Sequence, residues 1–180
     1  LMKALSLCDD PFLALAINLA FACSLRMGEL LGLTWSCVDI SQDSIDHDCA
    51  YIYIDKELQR ISRESLAQIG EKGIMFKFPT MRGSNSTVLA LKEPKTKTSV
   101  RKVFLPRAVA EMLVERRKTI EELKELLGDE YRDYDLVFAS TQGTPTEANY
   151  INRAFDKLIT ENNLPKVVFH SLRHTSTTYK

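Results

Sequence analysis

Residues 169–180 read FHSLRHTSTTYK and crowd two imidazoles and a guanidinium into five positions. On a helix, His170 and Arg173 lie three residues apart and share a face, and His174, four from His170, points much the same way. A guanidinium offers a planar fork of donors that matches two phosphate oxygens. An imidazole beside it donates to a third oxygen or moves a proton near neutral pH. Such a face suits a phosphodiester whose negative charge grows during reaction. Two other readings stay open for an isolated H-x-x-R. The histidines form an i,i+4 metal pair, although the glutamate of H-E-x-x-H and a third ligand cluster are missing. Or they are hydrogen-bonded core groups, with Arg173 in a salt bridge.

Two further segments carry comparable residues. SLRMGELLGLTW sets Arg26 at a break between apolar runs, where an arginine needs a partner, and Glu29, three residues on, either pairs with it or orients a neighbour. EPKTKTSVRKVFLP sets Lys95 at a turn between strands, followed by Thr96, Lys97, Ser99 and Arg101. Charge is uneven around these segments. Residues 76–107 hold eight Lys and Arg against Glu93 alone, whereas residues 111–135 hold nine acids against five bases. The basic region is read as a phosphate-facing surface, with Lys97, Arg101 and Lys102 as its contacts, and the acidic one as ordinary solvated surface.

These residues need elements to hold them. The chain has 180 residues, 44% hydrophobic and 27% charged, with zero net charge, which fits one globular domain with a proper core and gives no bulk sign of a nucleic-acid partner. Cys8, Cys23, Cys37 and Cys49 form no C-x-x-C pair and are read as thiols of a reducing cytoplasm. The longest apolar run, from Phe12 to Cys23, is too short to span a bilayer. It is read as a buried helix capped at Asp9 and Asp10 and opened by Pro11. A short helix follows from Met27 to about Leu33. Strands are expected at CAYIYID, IMFKFP, STVLALK, SVRKVFLP and DLVFAS, with a short helix at RESLAQIGEKG ending at Gly70 or Gly73. Pro106 opens a long helix that Gly128 closes, Thr146 caps another to about Glu161, and a last helix starts near His170. The fold class expected is mainly α with a small antiparallel β-sheet.

Taken in order, SLRMGELLGLTW, PKTKTSVRKVFLP and FHSLRHT resemble the first arginine box, the lysine hairpin and the H-x-x-R box of the tyrosine recombinase, or phage integrase, catalytic domain. The resemblance covers nearly the whole chain and is particularly similar to integrases of conjugative elements and prophages. It implies an integrase catalytic domain over residues 1–180, with Arg26, Lys95, His170 and Arg173 as catalytic residues and His174 in support. The implied reaction is DNA strand cleavage and rejoining through a 3′-phosphotyrosyl link, during integration of a mobile element, with no metal or other cofactor. The implied partners are double-stranded DNA attachment sites and other integrase protomers in a synaptic complex, with no membrane, in a DNA-associated cytoplasmic protein of a prokaryotic host. Tyr179 falls on the H-x-x-R helix, whereas the family's nucleophile comes from a later segment. Tyr179 is therefore read as a packing residue, and the chain as a catalytic domain cut short of its nucleophile and lacking the N-terminal DNA-binding domains. A non-catalytic DNA-binding module and a type IB-like topoisomerase are the alternatives. Ser24 stands where the family usually has glycine, which matters if the turn needs positive φ. Residues from about 60 to 91 are expected to extend the small sheet as a β-insertion, with Lys77 and Arg82 toward DNA or a neighbouring subunit.

Overall fold

The structure, a computed structural model, describes residues 2–79, 86–94 and 96–175, without the side chains of Met2, Ile69, Lys97, His174 and Thr175. Helices α1 (Met2–Ser6), α2 (Pro11–Ala22) and α3 (Met27–Leu31) come first, then strand β1 (Val38–Asp39) and helix α4 (Gln42–Asp46). Strands β2 (Tyr51–Ile54) and β3 (Glu57–Ser62), helix α5 (Arg63–Ile69), and strands β4 (Ile74–Lys77), β5 (Thr87–Lys92) and β6 (Arg101–Phe104) fill the middle of the chain. Helices α6 (Arg107–Leu127), α7 (Ala148–Glu161) and α8 (Leu172–Thr175) complete it.

Helix α2 is the hub. Asp10 accepts the Phe12 N–H at 2.9 Å and Pro11 occupies the first turn, where its missing N–H costs nothing. Leu13, Leu15, Ala16, Ile17, Leu19 and Ala20 are all buried, and the helix packs against α3, α6, α7 and α8. Stripes on two of those neighbours meet this core: Val109, Ala110, Leu113 and Ile120 on α6, and Ile151, Phe155, Leu158 and Ile159 on α7. Gly128 closes α6 at φ 52°.

The sheet is divided. Strands β1–β2–β6 form one antiparallel sheet and β3–β5–β4 another. The insertion therefore pairs with β3 in a sheet of its own instead of lengthening the first. The division falls at Asp55–Lys56, where the Lys56 ammonium turns in to Thr34 Oγ1 (3.2 Å) and Cys37 Sγ (3.1 Å). Phe78 then anchors the insertion to the body, its ring 5.0 Å from those of both Phe76 and Tyr134. Lys77 is ion-paired with Glu71 nearby, and Arg82 lies outside the described residues.

Two expectations shift. DLVFAS is not a strand. Leu136, Val137, Phe138 and Ala139 are buried, but the chain makes only isolated bridges there, Thr34 to Leu136 and Ala139 to Pro145. Two of its buried carbonyls are satisfied by a side chain instead, with Arg116 donating to Val137 O (3.0 Å) and Ala139 O (2.6 Å), while Phe138 O accepts from the Thr146 N–H. The cap of α7 is Glu147, not Thr146, and the Glu147 carboxylate pairs with Arg60 of β3 at 2.6 Å. Among the described residues no helix is long and apolar enough to cross a membrane.

Candidate active site

The arginine segment owes its shape to a local conflict. Leu25 is buried beside the end of α2, and the chain turns into α3 through Ser24, which adopts φ 52°. Arg26 is then the N-cap of α3 in an extended conformation, and Glu29 sits at the third helical position. A glutamate there reaches back to the N-cap N–H, and this one does so, accepting from Arg26 N at 2.9 Å. It also accepts from Arg26 Nη1 at 2.8 Å.

Glu29 is only 1% exposed, and its remaining bonds come from the far side of the chain. Arg101 of β6 approaches it fork to fork, Nη1 to Oε1 at 3.1 Å and Nη2 to Oε2 at 3.0 Å. Each carboxylate oxygen thus accepts two hydrogen bonds. Burial alone would raise the Glu29 carboxyl, but the bonds from Arg101 and Arg26 outweigh it and hold the group below its ordinary range. Buried Cys23 lies within the field of Arg101. Burial pushes its thiol up to about 12, and the guanidinium offsets only part of that, so Cys23 stays protonated and is no nucleophile.

Arg173 comes to the same place from α8. Phe169 and Leu172, three apart, are buried, with the Phe169 ring edge-on to Phe155 at 5.5 Å. That anchoring leaves His170 exposed and Arg173 half-buried on the adjoining face. Desolvation lowers the Arg173 pKa, as does the charge of Arg26. Glu29 opposes the shift and Arg101 adds to it, so all three lie within electrostatic reach of Arg173.

A cavity of about 460 Å³ opens beside the cluster, lined by Arg26, Glu29 and Glu57 on one side and by Pro94, Thr96 and Ser99 on the other. Lys95 itself lies outside the described residues, but its two chain neighbours line this cavity. The backbone of Lys97 belongs to a 3-10 turn, Lys97–Ser99, while its side chain, like that of His174, lies outside what is described; so does Tyr179.

The expected basic surface is separated by strand geometry. Successive side chains on β6 point to opposite faces. Arg101 and Val103 turn inward beside Ile54 and Ile52 of β2, and Lys102 and Phe104 turn outward beside Tyr53 and Tyr51. The Lys102 ammonium sits 3.6 Å from the centre of the Tyr51 ring. Arg101 therefore does not share a surface with Lys102. Two glycines to which the sequence assigned no role also shape the site. A Cβ on Gly32 would stand 2.7 Å from Leu58 N, and one on Gly28 would stand 3.1 Å from Leu58 O. Their i,i+4 spacing in MGELLG was the available signal that a backbone, here β3, closes onto α3.

No protein-family model matches the chain. A curated protein described as tyrosine recombinase XerC-like, from Caldanaerobacter subterraneus subsp. tengcongensis, is 30% identical over 163 residues, covering 89% of this chain and 36% of the relative. The Tn1549 transposon integrase, in a complex with circular-intermediate DNA, superposes with a TM-score of 0.63 at 20% identity, over 98% of this chain and 49% of that one. The XerA recombinase superposes with a TM-score of 0.58 at 18% identity, over 98% of this chain and 45% of that one. Over most of its own length the chain is similar to tyrosine recombinases. It has the fold of tyrosine recombinase catalytic domains, mainly α with small antiparallel sheets, and spans about a third of the curated tyrosine recombinase's length and just under half of each solved chain.

Proposed function

We propose that this domain holds a DNA phosphodiester for cleavage and rejoining by a site-specific tyrosine recombinase of a mobile element. One observation carries the reading: Arg26 and Arg173, supplied by different ends of the chain, come within electrostatic reach of each other beside a cavity lined by the neighbours of Lys95. Three guanidiniums, those of Arg26, Arg101 and Arg173, around the one buried carboxylate of Glu29 leave a surplus of positive charge where a phosphodiester gains negative charge in its pentavalent transition state.

In this reading Arg26, Arg173 and His170 donate to the non-bridging oxygens. A tyrosine of the full-length protein other than Tyr179 attacks phosphorus, its phenol proton passing to solvent. The new P–O bond makes a 3′-phosphotyrosyl link as the bond to the 5′ oxygen breaks, and Lys95 gives that oxygen its proton. The covalent link stores the bond energy, so a different 5′ hydroxyl can reverse the step without ATP. Fixed cations supply the charge stabilisation. Double-stranded attachment sites and further protomers in a synaptic complex are the partners. Lys102, outside the arginine cluster, supplies backbone contact, with Lys97 on the turn beside it.

The test uses the full-length protein and a nicked duplex whose cleavage strands the covalent product. Wild type should form a protease-sensitive protein–DNA adduct. Arg173→Ala should lower its rate at least ~100-fold while leaving the thermal midpoint within a few degrees, the scale of losing one charge-stabilising donor. Binding without any adduct in wild type would leave a DNA-binding module, and relaxation of supercoils without strand exchange would indicate a topoisomerase.

A further inference from the structure

Arg101 belongs to the arginine cluster, yet both of its terminal nitrogens are engaged inside the protein. We propose that Arg101 is a positioning residue: it holds Glu29, and through Glu29 the Arg26 guanidinium, in the geometry that receives a phosphate. The proposal rests on the recombinase reading above. It adds a residue for which the sequence suggested only a surface DNA contact.

The four bonds on Glu29 are divided evenly. Two come from Arg26, one from its backbone N–H and one from Nη1, and two come from Arg101. An ionised carboxylate has about four lone-pair sites, so this one is saturated. Arg101 Nη1 also donates to the carbonyl of Ser99 at 3.0 Å. Ser99 lines the same cavity as Arg26, at the end of the turn that follows Lys95. Arg101 thus ties the lysine segment and the arginine segment to one buried carboxylate. Its side chain is 29% exposed, against 46% for Arg26, so Arg26 is the more open of the two toward a ligand.

Removing Arg101 empties two acceptor sites on Glu29 inside the protein. The carboxylate must then draw Arg26 further inward or take up a proton. The first course pulls a donor away from the phosphate, and the second releases Arg26 from its fixed geometry. Either one lowers the cleavage rate more than it lowers DNA affinity, which is spread over many phosphates. The charged groups around Glu29 are Arg26 from its own helix, Arg101 from β6 and Arg173 from α8. Glu57 of β3 faces the shared cavity, and Asp55 and Lys56 lie on the other side.

The experiment compares wild type, Arg101→Ala and Arg101→Lys in the full-length protein. Single-turnover cleavage is measured at saturating duplex across pH, and affinity across salt. Arg101→Ala should cleave at least ~10-fold more slowly, with affinity within about threefold of wild type. Its acid limb should move up by about one pH unit, because Glu29 then takes its proton at higher pH. Arg101→Lys should fall between, since an ammonium cannot reproduce the two parallel bonds. Adding Arg101→Ala to Glu29→Gln should cost little beyond Glu29→Gln alone. A different pattern would overturn the proposal: weaker binding with a reduced salt slope, but an unchanged saturated rate and acid limb. That is the behaviour of a phosphate contact. If wild type does not cleave, the recombinase reading fails, and the proposal is still decided by carbon NMR titration of the Glu29 carboxyl. That titration must move to higher pH in Arg101→Ala, and an unmoved titration refutes it.

Discussion

Glu29 and Arg101 stand 72 positions apart in the sequence and meet in a two-pronged ion pair, with bonds of 3.1 and 3.0 Å. The carboxylate is almost completely enclosed, while both of its arginine partners keep an exposed portion. Breaking such a group costs less than breaking a fully buried pair, so Glu29→Gln should destabilise the protein by ~2–3 kcal/mol at neutral pH. The pH dependence has a definite sign. The folded carboxyl is held below its ordinary value of 4.5, so its stabilisation is fully present above that value. It is lost as the pH falls through the lower folded value. Urea unfolding of wild type and Glu29→Gln should therefore show a gap at pH 7 that narrows below about pH 4. A gap independent of pH would mean that the carboxylate's charge is not what the two arginines hold.

Ser24 adopts φ 52°, a conformation that places an L side chain against its own backbone. Ser24→Gly removes that strain but adds entropy to the unfolded chain. Relief of the strain outweighs the added entropy, so the change should stabilise the protein by ~0.5–1 kcal/mol. Because Ser24 lies two residues before Arg26, the midpoint in denaturant should rise while cleavage by the full-length protein stays unchanged or improves. A fall in stability would show that the serine hydroxyl contributes more than its backbone costs.

Gly32 and Gly28 test how closely β3 must lie on α3. At Gly32 an alanine Cβ would meet Leu58 N at 2.7 Å and the Glu57 carbonyl carbon at 3.0 Å, so strand or helix must move. At Gly28 the nearest atom is 3.1 Å away and a small adjustment suffices. Gly32→Ala, at the C-cap of α3, should thus cost ~2–3 kcal/mol, against ~1 kcal/mol or less for Gly28→Ala, which lies inside the helix where alanine is favoured. Thermal unfolding of the two variants gives the order, and equal effects would argue against the close approach at Gly32.

What was legible in the sequence was local. Asp10 and Pro11 marked the start of α2, Gly70, one of two glycines expected there, the end of α5, and Gly128 the end of α6, because a cap is set by the residue that makes it. Glu29 was visible as a partner for Arg26 for the same reason, since three residues separate them. The direction of Arg101 was not visible. Alternation on β6 shows only that Arg101 and Lys102 point apart, and which of them is inside depends on pairing with β2, some fifty residues earlier. Residues 136–139 read as a strand because they are apolar and continuous. Two of their carbonyls, those of Val137 and Ala139, are in fact taken up by Arg116, a partner about twenty residues away that no local pattern announces. The division of the sheet at Lys56 likewise depends on Thr34 and Cys37, which are remote in the chain.

In the proposed reaction, the step assigned to Lys95 is the one most open to a direct test. Its neighbours Pro94 and Thr96 line the cavity beside Arg26, which suits a proton donor to the oxygen leaving a phosphate held there. A departing alkoxide needs its proton in the transition state, whereas affinity for duplex DNA is spread over many phosphate contacts. In the full-length protein, Lys95→Ala should therefore slow cleavage ~100-fold or more, the usual scale of general-acid catalysis, and change duplex affinity only a few-fold. Replacing the bridging 5′ oxygen with sulfur separates this role from simple charge stabilisation. A thiolate leaves without a proton, so the variant should cleave the sulfur-bridged duplex at close to the wild-type rate. Arg173→Ala should remain slow on that substrate, because in the proposed reaction its charge acts on the non-bridging oxygens. If sulfur fails to rescue Lys95→Ala while binding is intact, the acid is another group, and Lys97 on the adjoining turn is the next residue to substitute.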